Sequence, residues 1–192
     1  MIRNADATNS ARGFLERVLT ESVKEKVFES IERTEHLVSL VPSERLAWSP
    51  PFSPAAAPPR DLAHMLGHLL DCLAGFCAVF AAAFPAQLAD FQALRTIPVN
   101  HACSPAEAGQ WIRIFAAHIK QGFKCCCDAD LARNIPTVFV PEGETLLTLL
   151  LGNLEHLINH KYQLFLHLKL AGLAIGTRDI YRLRGLPESG HE

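Results

Sequence analysis

The pattern of apolar and polar positions along the 192-residue chain predicts four long helices. Residues 11–41 place apolar side chains three and four positions apart with charges between them, which is typical of an amphipathic helix. Residues 61–84 are apolar on almost every side, so we expect a second helix that is buried in the core. Segments 104–127 and 144–170 predict the third and fourth helices, and no segment alternates convincingly as a strand would.

Helix-breaking and helix-capping residues predict where these helices end. Pro42 ends the first, and the prolines from Pro50 to Pro59 exclude a continuous helix in the loop that follows. Ser104 and Glu107 predict a capping box at the start of the third helix, and Gly172 is expected to end the fourth. The predicted fold is an all-α four-helix bundle with long connecting loops. We expect one domain over residues 1–192, with flexible ends at about 1–10 and 186–192.

Composition and charge narrow the classes of partner and location. With 49% apolar and 20% charged residues the chain is an ordinary globular protein, and its net charge of -2 gives no reason to expect nucleic acid or an anionic membrane as a partner. The N-terminus lacks a secretory pattern, and no window of eighteen apolar residues is free of charge or histidine. We therefore expect a cytoplasmic protein with no membrane span. Its six cysteines should be reduced, and Cys125, Cys126 and Cys127 are either partly buried thiols at a helix end or residues with a metal or redox role.

Two histidines on the fourth predicted helix are candidate metal ligands. His156 and His160 are four residues apart, so both imidazoles lie on one helical face and can bind one ion. Asn153 and Gln163 share that face and are candidate hydrogen-bond partners of the ligands. A lone pair of this kind also fits a polar surface stripe or two hydrogen-bonded core imidazoles.

A third ligand must come from another helix, and the apolar second helix offers His68, with His64 one turn earlier. Burying unpartnered imidazoles costs about 1 to 3 kcal/mol for each polar group, and a shared metal ion would satisfy them. His64 is either a fourth ligand or pocket acid-base, or a core or rim residue, and His167 has the same two interpretations. No special role is predicted for the remaining histidines, His36, His101, His118 and His191.

The segments "PPRDLAHMLGHLLDCLAGF" and "HLINHKYQLFLHLKLAG" together resemble the DinB and YfiT-like superfamily of metal-binding four-helix proteins. The resemblance implies that His68 is the single histidine of the earlier helix. It also implies that His156 and His160 form the later HxxxHxxQ pair, with Gln163 as its glutamine and Gly172 as the glycine that ends the helix.

A site of three histidines leaves a coordination position open for water or a thiol, and imidazole ligands accept zinc, nickel or ferrous iron alike. The resemblance implies transferases and isomerases that act with a low-molecular-weight thiol, and proposed hydrolases. Our leading hypothesis is a thiol S-transferase with a small-molecule substrate and a metal-bound thiolate. A hydrolase that uses metal-bound hydroxide and a non-catalytic metal-binding protein are the alternatives. No further catalytic residue is assigned, and the apolar surface of the second and fourth helices favours a homodimer.

Overall fold

Four long helices form the frame of the protein in the computed structural model, which describes residues 16–51, 60–137 and 140–181, without the side chains of residues 92, 93 and 95. The long helices are α1 (Val18–Ser39), α2 (Leu62–Ala83), α3 (Pro105–Cys125) and α5 (Leu146–Leu170). Two single-turn helices, α4 (Asp128–Leu131) and α6 (Thr177–Ile180), and two 3-10 helices, Ser43–Arg45 and Ala89–Thr96, lie between or after them. The predicted flexible ends lie outside the described residues.

The long helices pack as a closed ring around one hydrophobic core. Helix α2 packs most extensively on α5 and α3, and α1 packs on the same two helices. The ring order is therefore α1, α3, α2, α5, with α1 and α2 on opposite corners. Such a diagonal connection needs a long loop, and the proline-rich segment between α1 and α2 supplies it. The predicted all-α bundle is confirmed.

Helix α1 begins at Val18 after a turn at residues 16 and 17, whereas the predicted helix runs through these two residues. The predicted start at residue 11 lies outside the described residues. The residue that caps α1 lies far along the chain. The carboxylate of Asp128 accepts hydrogen bonds from the backbone N–H groups of Leu19 and Thr20, at 3.1 and 2.8 Å. These first-turn donors would otherwise have no partner, so a residue of α4 caps α1.

Helix α2 is the central element of the core. Its Phe76 and Phe80 are fully buried together with Phe115 and Phe123 of α3, and Phe80 meets Phe123 edge-on with ring centroids 4.9 Å apart. By length and composition alone α2 is apolar enough to cross a membrane, but 67% of its most apolar window is buried inside the fold. It is therefore placed as the core helix of a bundle.

The ends of the other helices follow the sequence with one difference. The Ser104 hydroxyl accepts from the Glu107 backbone N–H at 3.2 Å, but the Glu107 carboxylate meets His101 instead of completing the predicted capping box. Helix α5 ends at Leu170, two residues before Gly172, whose φ of 88° is the left-handed conformation that favours glycine after a helix. Two strands of two residues each, Asn134–Ile135 and Glu144–Thr145, pair in an antiparallel arrangement. Such short strands show no alternating pattern of apolar and polar residues in the sequence.

Candidate metal centre

The contact between α2 and α5 brings the three predicted histidine ligands together. His68 projects from α2, and its ring centroid lies 4.2 Å from that of His160 and 5.5 Å from that of His156. His156 and His160, one turn apart on α5, have centroids 4.7 Å apart. His68 is buried at 8% exposure, whereas the other two are more exposed. The cluster is therefore buried on the side of α2 and accessible to solvent on the side of α5.

Two amide oxygens determine which ring nitrogens of the cluster are free. Nδ1 of His68 lies 2.5 Å from Oδ1 of Asn100, and Nδ1 of His160 lies 3.0 Å from Oε1 of Gln163. An amide oxygen only accepts hydrogen bonds, so each Nδ1 carries a hydrogen and donates it. A neutral imidazole with its hydrogen on Nδ1 has a lone pair on Nε2, and the Nε2 atoms of His68 and His160 face each other at 3.0 Å.

The opposed lone pairs of His68 and His160 repel unless a cation lies between them. Nitrogen ligands of tetrahedral zinc stand about 2.0 to 2.1 Å from the ion, which puts two of them about 3.3 Å apart. The observed 3.0 Å is close to that separation. The donor set, its hydrogen-bonded Nδ1 atoms and its spacing therefore fit a divalent ion held by imidazole Nε2 atoms.

Cys72 adds a fourth donor that the sequence analysis did not assign to the site. It lies four residues after His68 on α2, and its Sγ and the donor atoms of the three histidines all lie within 4.8 Å of one another. Burial, followed by the charge of Asp71, raises the pKa of the Cys72 thiol to about 12. Without a cation this sulfur is a protonated thiol at neutral pH, and only a metal ion would make it a thiolate ligand.

Burial disfavours the protonated form of His160. It lowers the pKa of His160, and the neighbouring rings of His68 and His156 and the Arg60 guanidinium lower it further, against the raising effect of Gln163. Neutral imidazole is the form that binds metals, so the environment favours ligation over protonation. Arg60 is exposed and lies just before α2, which places a positive charge within electrostatic reach of the histidines.

The remaining candidate residues from the sequence have other contacts. Nδ1 of His64 binds Asp61 at 2.8 Å, and its side chain is 51% exposed. His167 is buried against Trp48, with ring centroids 6.1 Å apart. Neither is in the four-donor cluster. The Asn153 amide donates to Leu149 O of its own helix at 2.9 Å. This hydrogen bond does not involve any of the candidate ligands.

Asn100 is the partner that sequence reasoning missed entirely. It comes from the loop between α2 and α3 and has a φ of 57°, a left-handed conformation that asparagine tolerates better than most residues. Its backbone N–H donates to Gly67 O at 3.0 Å, which fixes the loop on α2. No periodic pattern marks such a residue, whereas the spacing of Cys72 from His68 was visible as a second i, i+4 pair.

The fold and the cluster together define a helical bundle with a group of side chains that can hold a metal ion. The bundle shares its fold with a DinB-like protein of Bacillus subtilis, YjoA, at a TM-score of 0.60 over 84% of this chain and 99% of that chain. The two sequences are 16% identical, so the likeness shows the fold, and the expected DinB-like architecture is confirmed. Neither the models of protein families nor the curated proteins give a match to this chain.

Proposed function

We propose that this protein is a metal-dependent enzyme of the thiol S-transferase type. A first-row divalent ion, zinc, nickel or ferrous iron, would be held by His68, His156 and His160. The observation that carries the proposal is the pair of Nε2 atoms that face each other at 3.0 Å while both Nδ1 hydrogens are donated to amide oxygens. A hydrogen-bonded pair of neutral core imidazoles would instead place one N–H between the rings.

The bound ion would supply one kind of chemistry, since a thiol or water that coordinates a divalent ion loses its proton near neutral pH. The side chains around it orient the reactants. Asn100 and Gln163 hold the two imidazoles by their Nδ1 hydrogens, at 2.5 and 3.0 Å, so the ligand rings cannot rotate freely. Arg60 offers a guanidinium that can bind a carboxylate of a low-molecular-weight thiol.

In the proposed reaction the sulfur of the cosubstrate forms a bond to an electrophilic carbon of a small molecule. The leaving group departs with the bonding electron pair, and the thiol proton passes to solvent. His156 and His160 lie on the more open side of the cluster, so both reactants would enter there. A cytoplasmic location, which we propose as well, suits a protein whose six cysteines are all free thiols.

Cys72 favours a second candidate function, a metal-binding protein without catalysis. A tetrahedral ion that took the three histidines and this sulfur would have no open position, and closed sites of nitrogen and sulfur ligands are structural. The two functions therefore differ in the donor that occupies the fourth position. A hydrolase would activate water at that position instead of a thiol. The two enzymes therefore differ in the substrates that they convert.

Metal content tests the site itself. Protein purified without chelator should contain first-row metal, and His68→Ala or His156→Ala should lose one equivalent per chain while the helical circular dichroism is retained. His64→Gln is the matched control, because it changes an exposed histidine one turn from His68 and should keep the full content. Equal metal content in all four proteins would refute the site.

Turnover tests the reaction class. The metal-loaded protein should accelerate the attack of glutathione, bacillithiol or mycothiol on chlorodinitrobenzene, and Arg60→Gln should raise KM for the thiol with little change in kcat. Faster hydrolysis of nitrophenyl acetate with no thiol dependence would replace the S-transferase by the hydrolase. A cobalt-substituted protein whose sulfur charge-transfer absorption decreases in Cys72→Ser, and with neither activity, would support the non-catalytic function.

A further inference from the structure

A second group of metal-ligating side chains lies where the loop from α2 enters α3. His101, Cys103 and Glu107 place one donor atom each within 4.8 Å of one another. Nε2 of His101 lies 3.0 Å from Oε1 of Glu107, and Cys103 is buried at 4% exposure. None of these residues belongs to the four-donor cluster of α2 and α5, and the proposed function makes no use of them.

We propose that His101, Cys103 and Glu107 form a second site for a divalent cation, with zinc as the ion that their donors suit best. Imidazole nitrogen, thiolate sulfur and carboxylate oxygen are the three ligand types of protein zinc sites. The site goes beyond the proposed function, because it neither supplies nor needs the ligands of the first centre.

The described hydrogen bonds leave the His101 ring incompletely satisfied. Nδ1 of His101 is buried and has no hydrogen-bond partner in the part of the chain that the structure describes. An ion shared with Glu107 would bind Nε2, the ring nitrogen on the Glu107 side, in place of the hydrogen bond seen here, with the hydrogen of the neutral ring on Nδ1.

The Glu107 carboxylate favours a cation at this cluster, whereas the Cys103 thiol must lose its proton in order to bind one. Burial, followed by the charge of Glu107, raises the pKa of Cys103 to about 11. A sulfur that is buried beside a carboxylate is a poor nucleophile at neutral pH, which argues against a cysteine–histidine catalytic pair. A divalent ion would offset the carboxylate charge and convert the thiol to a ligand.

The backbone around the cluster is held in place on α2. The Cys103 N–H donates to Ala63 O at 3.2 Å, and the Asn100 N–H donates to Gly67 O at 3.0 Å. The backbone of His101 packs so closely on Gly67 that a Cβ there would lie 1.8 Å from the His101 carbonyl oxygen. His101 and Cys103 therefore lie on a loop segment that is fixed on α2. This segment directly follows Asn100, whose side chain binds His68.

This placement gives the second ion a role, which is to hold the loop that positions His68. Loss of the ion should loosen Asn100 and weaken metal binding at the first centre, although none of the second-site residues belongs to that centre. The ion would act as a structural brace for the first site.

The test is the number of metal ions per chain and the ligand that each one needs. Chelator-free protein titrated with zinc should bind two tight equivalents, and Cys103→Ser and His101→Ala should each bind one. Glu107→Gln keeps a hydrogen bond to His101 and so protects the fold, but should weaken the second equivalent at least tenfold. Cys125→Ser, a partly buried thiol at the far end of α3, is the control and should bind two.

The two proposals fail in different ways. A cobalt-loaded His156→Ala protein should keep one equivalent, with a sulfur charge-transfer band that Cys103→Ser abolishes. If the first centre does not exist, the wild type binds one ion that His156→Ala keeps and Cys103→Ser loses. If wild type, Cys103→Ser, His101→Ala and Glu107→Gln all bind the same number of ions with the same affinity, the second site is refuted.

Discussion

The replacement of Gly67 by alanine should destabilise the protein and weaken its metal binding, whereas the same change at Gly152 should stabilise it. Both glycines lie inside long helices, α2 and α5, where alanine is favoured over glycine by about 1 kcal/mol. They differ in their surroundings. A Cβ at Gly152 meets nothing within 4 Å, while at Gly67 it would lie 1.8, 2.7 and 2.8 Å from backbone atoms of His101.

The magnitude follows from the contact at Gly67. Real side chains do not come within 3.0 Å of backbone atoms in this way, so the loop must move by about 1.2 Å. An overpacked site of this kind costs about 1 to 3 kcal/mol or more, which exceeds the gain in helix propensity. Because the helix term is common to both glycines, the difference between the two variants isolates the contact with the loop.

The same movement should carry Asn100 away from His68. Loss of a hydrogen-bond partner of a ligand typically lowers metal affinity by about 10- to 100-fold. Urea unfolding of the metal-free proteins measures the first effect, and competition with a chromophoric chelator measures the second. Gly67→Ala with the stability of Gly152→Ala and the affinity of the wild type would refute both the close contact and the role of the loop.

Three further predictions use other contacts of the site and the bundle. Asn100→Gly keeps the left-handed backbone but removes the acceptor of the His68 hydrogen, so chelator competition should show a loss of about 10- to 100-fold in affinity. His167→Phe removes a titratable ring from the core. Burial lowers the pKa of His167 below its ordinary 6.5, so the native state takes up a proton at lower pH than the unfolded chain does. That contribution to the free energy of unfolding is present above pH 6.5 and is lost as pH falls toward the lower native pKa, and the variant should show a flatter decline in acid urea titrations with unchanged metal content. If the protein forms a homodimer through the exposed apolar face of α5, the double variant Ile158→Asp with Leu166→Asp should be monomeric in light scattering. A wild type that is already monomeric would rule out the homodimer.

The sequence predicted the helices well because burial dictates their periods. The apolar stripe of α2 places Leu66, Leu69 and Leu73 in the core, all at 0% exposure, and no local feature competes with it. The cap of α1 was not predicted, because Asp128 lies 108 positions from Thr20 and local reasoning cannot detect such a partner. Phe14 and Leu15, which the predicted helix included, lie outside the described residues.

The residues of the candidate site that lie on helices could be predicted from their spacing. The residue that a loop contributes could not. The spacing of four residues put His156 and His160 on one face, and the depth of His68 in an apolar helix made it the natural third donor. Asn100 reaches His68 through a left-handed turn that no sequence period encodes. The three candidate ligands that the structure brings together were therefore visible in the sequence, but the hydrogen-bond partners of their rings were not.

Cys72 shows why the choice of function depends on one atom. The period that placed His156 beside His160 applies equally to His68 and Cys72, so α2 and α5 each supply an i, i+4 pair and the four donors converge. Three imidazoles leave a position for a substrate, whereas the addition of this thiolate fills a tetrahedral ion. Burial and Asp71 both oppose ionisation of Cys72, and its pKa of about 12 means that a metal must displace a tightly held proton before this sulfur can bind. A thiol cosubstrate in water has an ordinary pKa near 8.5 and gives up its proton at much lower cost. This difference is the physical reason to prefer the catalytic proposal, because the external thiol can outcompete the internal one for the fourth position.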